Sequence, residues 1–120
     1  MSIDWSRVKH FERSEFGHSK GVDPDSKLVE MLDEARTIAG ISFHVNSGIR
    51  TEARNAEVGG KPNSAHIGGY AVDIECRTSR HRFLMTRALL EVGFTRIGWG
   101  ESFIHVDTDP TKPQSVGWLY

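Results

Sequence analysis

The stretch Ser64-Ala65-His66-Ile67-Gly68-Gly69-Tyr70-Ala71-Val72-Asp73 is answered later in the chain by Phe103-Ile104-His105-Val106-Asp107. The second stretch alternates with period two, so Phe103, His105 and Asp107 share one face of a strand and Ile104 and Val106 the other. Asp73 stands in the same relation to Val72 and Ile74, in a strand read from Tyr70 to Glu75. His66 and Asp73 are seven positions apart with Gly68-Gly69 between them. Glycine accepts backbone angles that other residues resist, so the chain can turn sharply there and aim both side chains at one point.

Working outward, Asp23-Pro24-Asp25-Ser26 reads as a helix start, and Leu28, Met31, Leu32, Ala35, Ile38 and Ala39 follow at helical spacing until Gly40. Ile41 to Val45 alternates like a strand, and Ser47-Gly48 breaks it. A short helix is expected from Thr51 to Val58, then a loop through Gly59-Gly60-Lys61-Pro62-Asn63. Thr78-Ser79 caps a second long helix whose packed face draws on Phe83, Leu84, the Arg87 stem, Ala88, Leu90 or Val92. Thr95 to Trp99 is a further strand, and the tail from Asp109 to Tyr120 is expected to fold back onto the domain. Before the core, Trp5 to Val22 has no period and reads as an irregular lead-in with a turn or two, anchored by Phe11 and Phe16. The expected architecture is α+β: a small antiparallel sheet with helices packed on one face. It forms one domain over residues 1–120, with a lead-in at 1–22 and a core at 23–120.

The chain is 120 residues long with a formal net charge of −1, enough for one domain and without the basic field of a nucleic-acid binder. Its longest apolar runs are far short of a membrane span, and no apolar stretch follows the first charges, so no secretory signal is read. Cys76 is the single cysteine, which excludes an internal disulfide and a thiolate-rich metal site and reads as a small packed side chain.

Two imidazoles and a carboxylate held on strands and a tight turn suit a zinc ion whose fourth position is left to water, the arrangement of a hydrolytic site. A carboxylate mid-strand needs a counter-charge or a metal to stay ionised. The bland alternative is a pair of half-buried, hydrogen-bonded histidines. His10, His18, His44 and His81 take that bland reading, although His44 alternates with Phe43 and Val45 in a way that allows contact with the site without demanding it.

Ser47-Gly48-Ile49-Arg50, Asn55, Asn63 to Ile74 and Phe103 to Asp107 together resemble the zinc peptidases that cut bacterial cell-wall peptides: D-Ala-D-Ala carboxypeptidases and L-alanyl-D-glutamate endopeptidases with the hedgehog-like fold. Their Ser-x-His-x-x-Gly-x-Ala-x-Asp signature is met by Ser64, His66, Gly69, Ala71 and Asp73. The resemblance runs from about Asp23 to Trp118 and is nearest to the compact subgroup of phage lysins. It implies one zinc held by His66, Asp73 and His105. It also implies an Arg50 that holds a carboxylate or carbonyl of the substrate, and a Ser64 hydroxyl that contacts substrate or fixes the loop. A guanidinium's planar fork of donors agrees with the role implied for Arg50. The implied substrate is bacterial peptidoglycan peptide, and the implied agent a monomeric endolysin made in the cytoplasm and acting at the wall after release. Neither nucleic acid nor membrane is expected as a partner.

One position departs from the pattern. Larger relatives keep a carboxylate three residues before the last histidine, where this chain has Ser102. Glu101 is the nearest acid and is expected as the catalytic base. On a straight strand it would lie about 13 Å from His105, so it serves only if residues 100–102 curl back over the metal. Asp107 competes for that role, or orients His105 as a second carboxylate behind the ligand. The departure leaves open a different class of function, a non-catalytic zinc-containing module that binds cell wall or a protein.

Overall fold

A computed structural model describes residues 3–17 and 23–120; His18 and the end of the lead-in to Val22 lie outside the described residues. The lead-in forms two 3₁₀ turns, Trp5–Arg7 and Arg13–Phe16. Phe11 and Phe16 from it are buried in the core, as two aromatic anchors should be. Helix α1 spans Ser26–Ala39. Asp25 caps it by accepting from Leu28 N, and Gly40 closes it in the left-handed region at φ 69°. Its face of Leu28, Val29, Leu32 and Ala35 is fully buried, each large side chain contributing roughly 2 kcal/mol.

The remaining elements are strand β1 (Val45–Ser47), helix α2 (Glu52–Glu57), β2 (Ala71–Glu75), α3 (Ser79–Glu91), β3 (Arg96–Trp99), β4 (Phe103–Asp107) and β5 (Val116–Leu119). The strands form one sheet in the order β1-β2-β4-β3-β5. The pairings β1–β2, β2–β4 and β3–β4 are antiparallel, and β5 joins β3 in parallel. Val72, Ile74, Ile97, Ile104 and Val106 all point to one face and are buried with α1 and with Met85, Ala88 and Leu89 of α3. Polar residues therefore collect on the opposite face, which is what places the site.

Three expectations from the sequence are corrected. Pairing with β2 begins only at Val45, so the strand read at Ile41–Val45 lies further along, at Val45–Ser47, and Phe43 is buried from an irregular segment. The packed face of α3 is Met85-Ala88-Leu89, whereas Phe83 and Leu90 are 66% and 56% exposed. The tail folds back as expected, but as a paired strand, because Val116 to Tyr120 finds the free edge of β3.

Gly69 is a position where only glycine fits. It sits at φ +79°, its carbonyl accepts from Asp25 N at 2.8 Å, and an added Cβ would lie 2.6 Å from the Asp23 carbonyl oxygen. Gly69→Ala is expected to destabilise the fold by about 2 kcal/mol, which a thermal melt reads as a Tm lower by roughly 8 °C.

Candidate metal centre

Strand register lays the site out as a row across the sheet. Ser47 on β1 faces Asp73 on β2, Asp73 faces His105 on β4, His105 faces Gly98 on β3, and Gly98 faces Trp118 on β5. Registered partners share a face, so these side chains stand together on the side of the sheet away from the helices.

His66 enters the row from the tight turn before β2. That turn is closed by bonds from Ile67 N to Ser64 O, Gly69 N to His66 O and Tyr70 N to Ala65 O. The His66 ring is buried, and its Nδ1 lies 2.8 Å from the Gly48 carbonyl oxygen, which can only accept. Nδ1 therefore carries a hydrogen, and Nε2 faces Asp73 Oδ1 at 3.4 Å. The lead-in contributes to this geometry: Ile49 N donates to Phe16 O, and a Cβ on Gly48 would collide with the Phe16 backbone. Gly48 thus admits the lead-in against the same backbone that fixes the His66 tautomer.

His105 stands between two carboxylates. Its Nε2 is 2.7 Å from Asp107 Oδ2 and its Nδ1 is 3.0 Å from Asp73 Oδ1. Burial opposes charge on this ring, but Asp107 and Asp73 outweigh it and raise the imidazole pKa. Burial likewise pushes the Asp73 carboxyl up, and the hydrogen bonds from His105 and His66 overcome it and hold the group well below the usual carboxylate range. The other oxygen of Asp107 accepts from Arg96 Nε at 2.7 Å and from Asp109 N at 3.2 Å. Arg96 in turn donates to the Pro113 carbonyl, and its guanidinium lies over Trp118, 5.0 Å from the ring centre. Trp118 also packs on His105, with ring centres 5.5 Å apart. Gly98 makes the space for it, since a Cβ there would run into the Trp118 indole and the Tyr120 ring.

One donor atom from each of His66, Asp73 and His105 lies within 4.8 Å of the others. The donors are Nε2 of His66, a carboxylate oxygen of Asp73 and Nδ1 of His105. In both imidazoles the opposite nitrogen is held by an oxygen acceptor, the outer arrangement typical of metal-binding histidines. Two nitrogens and one oxygen suit a borderline cation such as zinc and leave a fourth position open. The residues fit the ion.

Arg50 is held beside this cluster. Its Nε donates to Ser47 Oγ at 3.1 Å, Nη1 to Asn55 Oδ1 at 3.2 Å and Nη2 to Asp73 Oδ2 at 3.4 Å. Ser64 lines the same cleft, and its Oγ accepts from His66 N at 3.3 Å. The cleft has a volume of about 670 Å³, with Lys61, Lys112, Trp118 and Tyr120 also in its wall.

Glu101 is not brought to the site. Gly100 N donates to Phe103 O, so the turn between β3 and β4 continues the hairpin straight on and leaves Glu101 exposed at its tip, outside the lining of the cleft. The carboxylates lining the cleft, among the described residues, are Asp73 and Asp107. His44 and His81 are exposed, and His10 bonds Thr37. The sequence reading missed Arg96 and the position of Trp118. The alternation Arg96-Ile97-Gly98-Trp99 carried the signal, since it sets Arg96 and Gly98 on the face opposite the apolar pair.

The sequence model of Peptidase M15 matches residues 7–107. Among solved structures, the fold is similar to that of the L-Ala D-Glu endopeptidase ChiX of Serratia marcescens. The two share 20% identity at a TM-score of 0.54, over 86% of this chain and 93% of that one. No curated protein sequence matches the chain.

Proposed function

The chain belongs to the peptidase M15 family, and from that premise we propose that it is a zinc-dependent peptidase that hydrolyses peptidoglycan stem peptides. The observation that carries this reading is the convergence of His66, Asp73 and His105 donor atoms beside Arg50 in an open cleft. The L-Ala-D-Glu bond is the proposed target, in line with the activity named for ChiX, and a lysin-like role at the wall follows from the same reading.

His66 Nε2, Asp73 and His105 Nδ1 would hold the zinc. Bound there, the ion supplies Lewis acidity toward a peptide carbonyl and toward water. Asp107 orients the His105 ring and fixes its proton on Nε2, and Arg96 keeps Asp107 ionised in a buried place. The guanidinium of Arg50, fixed by three partners, presents donors toward the reacting carbonyl or a neighbouring carboxylate of the substrate. Trp118 shields the Arg96–Asp107–His105 chain from water on the cleft side.

Purified peptidoglycan incubated with the zinc-loaded protein is expected to release peptides with new alanine carboxyl and glutamate amine termini, read by mass spectrometry. Chelation should stop that release and zinc restore it. One observation favours a second reading, a zinc-holding binding module without turnover: Asp73 and Asp107, the lining carboxylates, are both already engaged. Stoichiometric zinc with no new termini would establish that alternative. On the peptidase reading Glu101→Gln is expected to change turnover less than twofold, because the side chain sits at the hairpin tip; a loss of a hundredfold would show that the turn closes over the cleft.

A further inference from the structure

We infer that the Tyr120 hydroxyl is a catalytic donor, which hydrogen-bonds the scissile carbonyl oxygen as that oxygen gains charge, from the β5 side of the cleft. The inference rests on the peptidase reading and adds a residue of the tail, beyond the stretch 7–107 that the family's model matches. Tyr120 N donates to the Trp99 carbonyl at 3.0 Å, which carries the pairing of β5 with β3 one residue further. Alternation therefore sets Tyr120 on the face of Trp118, the face of the metal-binding side chains. Three rings surround it, with centroids 4.9 Å away for Phe103 and 6.4 Å away for both Trp118 and His105. Strand β3 and the turn after it carry no side chain beneath these rings. A Cβ on Gly98 would lie 2.8 Å from the Tyr120 ring, and one on Gly100 would run into Phe103. The two glycines leave a trough in which both rings lie. Arg50, tied to Ser47 and Asp73, stands at the β1 end of the row, so guanidinium and phenol flank the strands β2 and β4 that carry Asp73 and His105.

The polarity of the phenol suits a donor. Its oxygen receives a hydrogen bond from the Trp118 indole, a group that can only donate. The hydrogen of the phenol itself is left over, with no acceptor among the described residues. Burial pushes the phenol pKa up against the Trp118 bond, Asp73 and Asp107 add to burial and Arg50 opposes them, with a net rise. Charges of Asp73, Asp107 and Arg50 all reach this oxygen, which puts it on the cleft side of the ring, and Tyr120 lines the cleft. At 67% exposed, the side chain is open to a substrate. Attack of water on a peptide carbonyl turns a neutral oxygen into one that bears negative charge. A neutral donor already in place strengthens its bond as that charge grows and has no reorganisation to undergo. Tyr120 keeps its proton throughout, and the leaving amine takes its hydrogen from the attacking water.

Tyr120→Phe tests this, because it keeps the ring and removes only the hydroxyl. On the synthetic peptide L-Ala-γ-D-Glu-L-Lys, kcat is expected to fall about a hundredfold with KM changed less than about twofold. Zinc stoichiometry and Tm should match the wild type. The same peptide with a phosphinate in place of the scissile amide imitates the tetrahedral carbon. Calorimetry should show it bound more weakly by Tyr120→Phe by a similar factor, a readout independent of turnover. A kcat within about threefold of wild type, a loss confined to KM, an unchanged phosphinate affinity, or a loss of zinc or Tm in the variant each overturns the role of the phenol. No release from the peptide or from peptidoglycan by the zinc-loaded wild type sinks the peptidase reading itself, and the donor with it; release that Tyr120→Phe preserves sinks the donor alone.

Discussion

Replacing Asp73 with alanine is expected to abolish turnover, by at least about a thousandfold, and to remove zinc from the protein. Asp73 is the central member of the row: its Oδ1 faces His105 Nδ1 at 3.0 Å and His66 Nε2 at 3.4 Å, and its Oδ2 faces Arg50 at 3.4 Å. Without it, two imidazoles and a guanidinium remain around a site that has lost its negative charge, and a divalent cation gains little by entering. The fold should survive, because Val72 and Ile74 pack the other face of β2 independently of Asp73. Elemental analysis and peptide release measured on the same sample check this. A variant that keeps stoichiometric zinc would show that the ligand set is wrong.

Arg96→Met carries the second large effect. Arg96 and Asp107 are 9% and 2% exposed, and their ion pair spans 2.7 Å. Removing the cation while keeping an apolar stem under Trp118 leaves Asp107 buried with only His105 and one backbone N–H to answer its charge. Breaking a buried pair from one side costs about 3–5 kcal/mol, a large share of the stability of a domain this size. Asp107 would also hold the His105 ring less firmly, so zinc affinity should fall about 10- to 100-fold. Chemical denaturation and zinc titration read the two effects separately. Unchanged stability would mean that the pair is solvated and does not brace the site.

The cluster of His66, Asp73 and His105 is legible in the sequence because each member carries a local signature. His66 and Asp73 flank a glycine turn, and His105 interrupts an apolar alternation that needs one face dry. The start and end of α1 were equally plain, since Asp25 and Gly40 act within their own neighbourhood. What escaped depends on pairing across the sheet. Trp118 belongs to the site only because β5 lies parallel to β3 with Trp118 opposite Gly98, a register that no local pattern encodes. The face of α3 was misread because Phe83 and Leu90 are exposed, and hydrophobicity alone does not say which side meets a core. Glu101 was considered for catalysis on sequence proximity, and the continued hairpin carries it away from the cleft.

X-ray absorption at the zinc edge on the loaded protein addresses the metal centre most directly. One zinc per chain is expected in a shell of nitrogen and oxygen near 2.0–2.1 Å, with imidazole scattering that weakens in each of His66→Ala and His105→Ala. A sulfur neighbour near 2.3 Å, or a spectrum unchanged in those variants, would place the ion elsewhere and contradict this expectation.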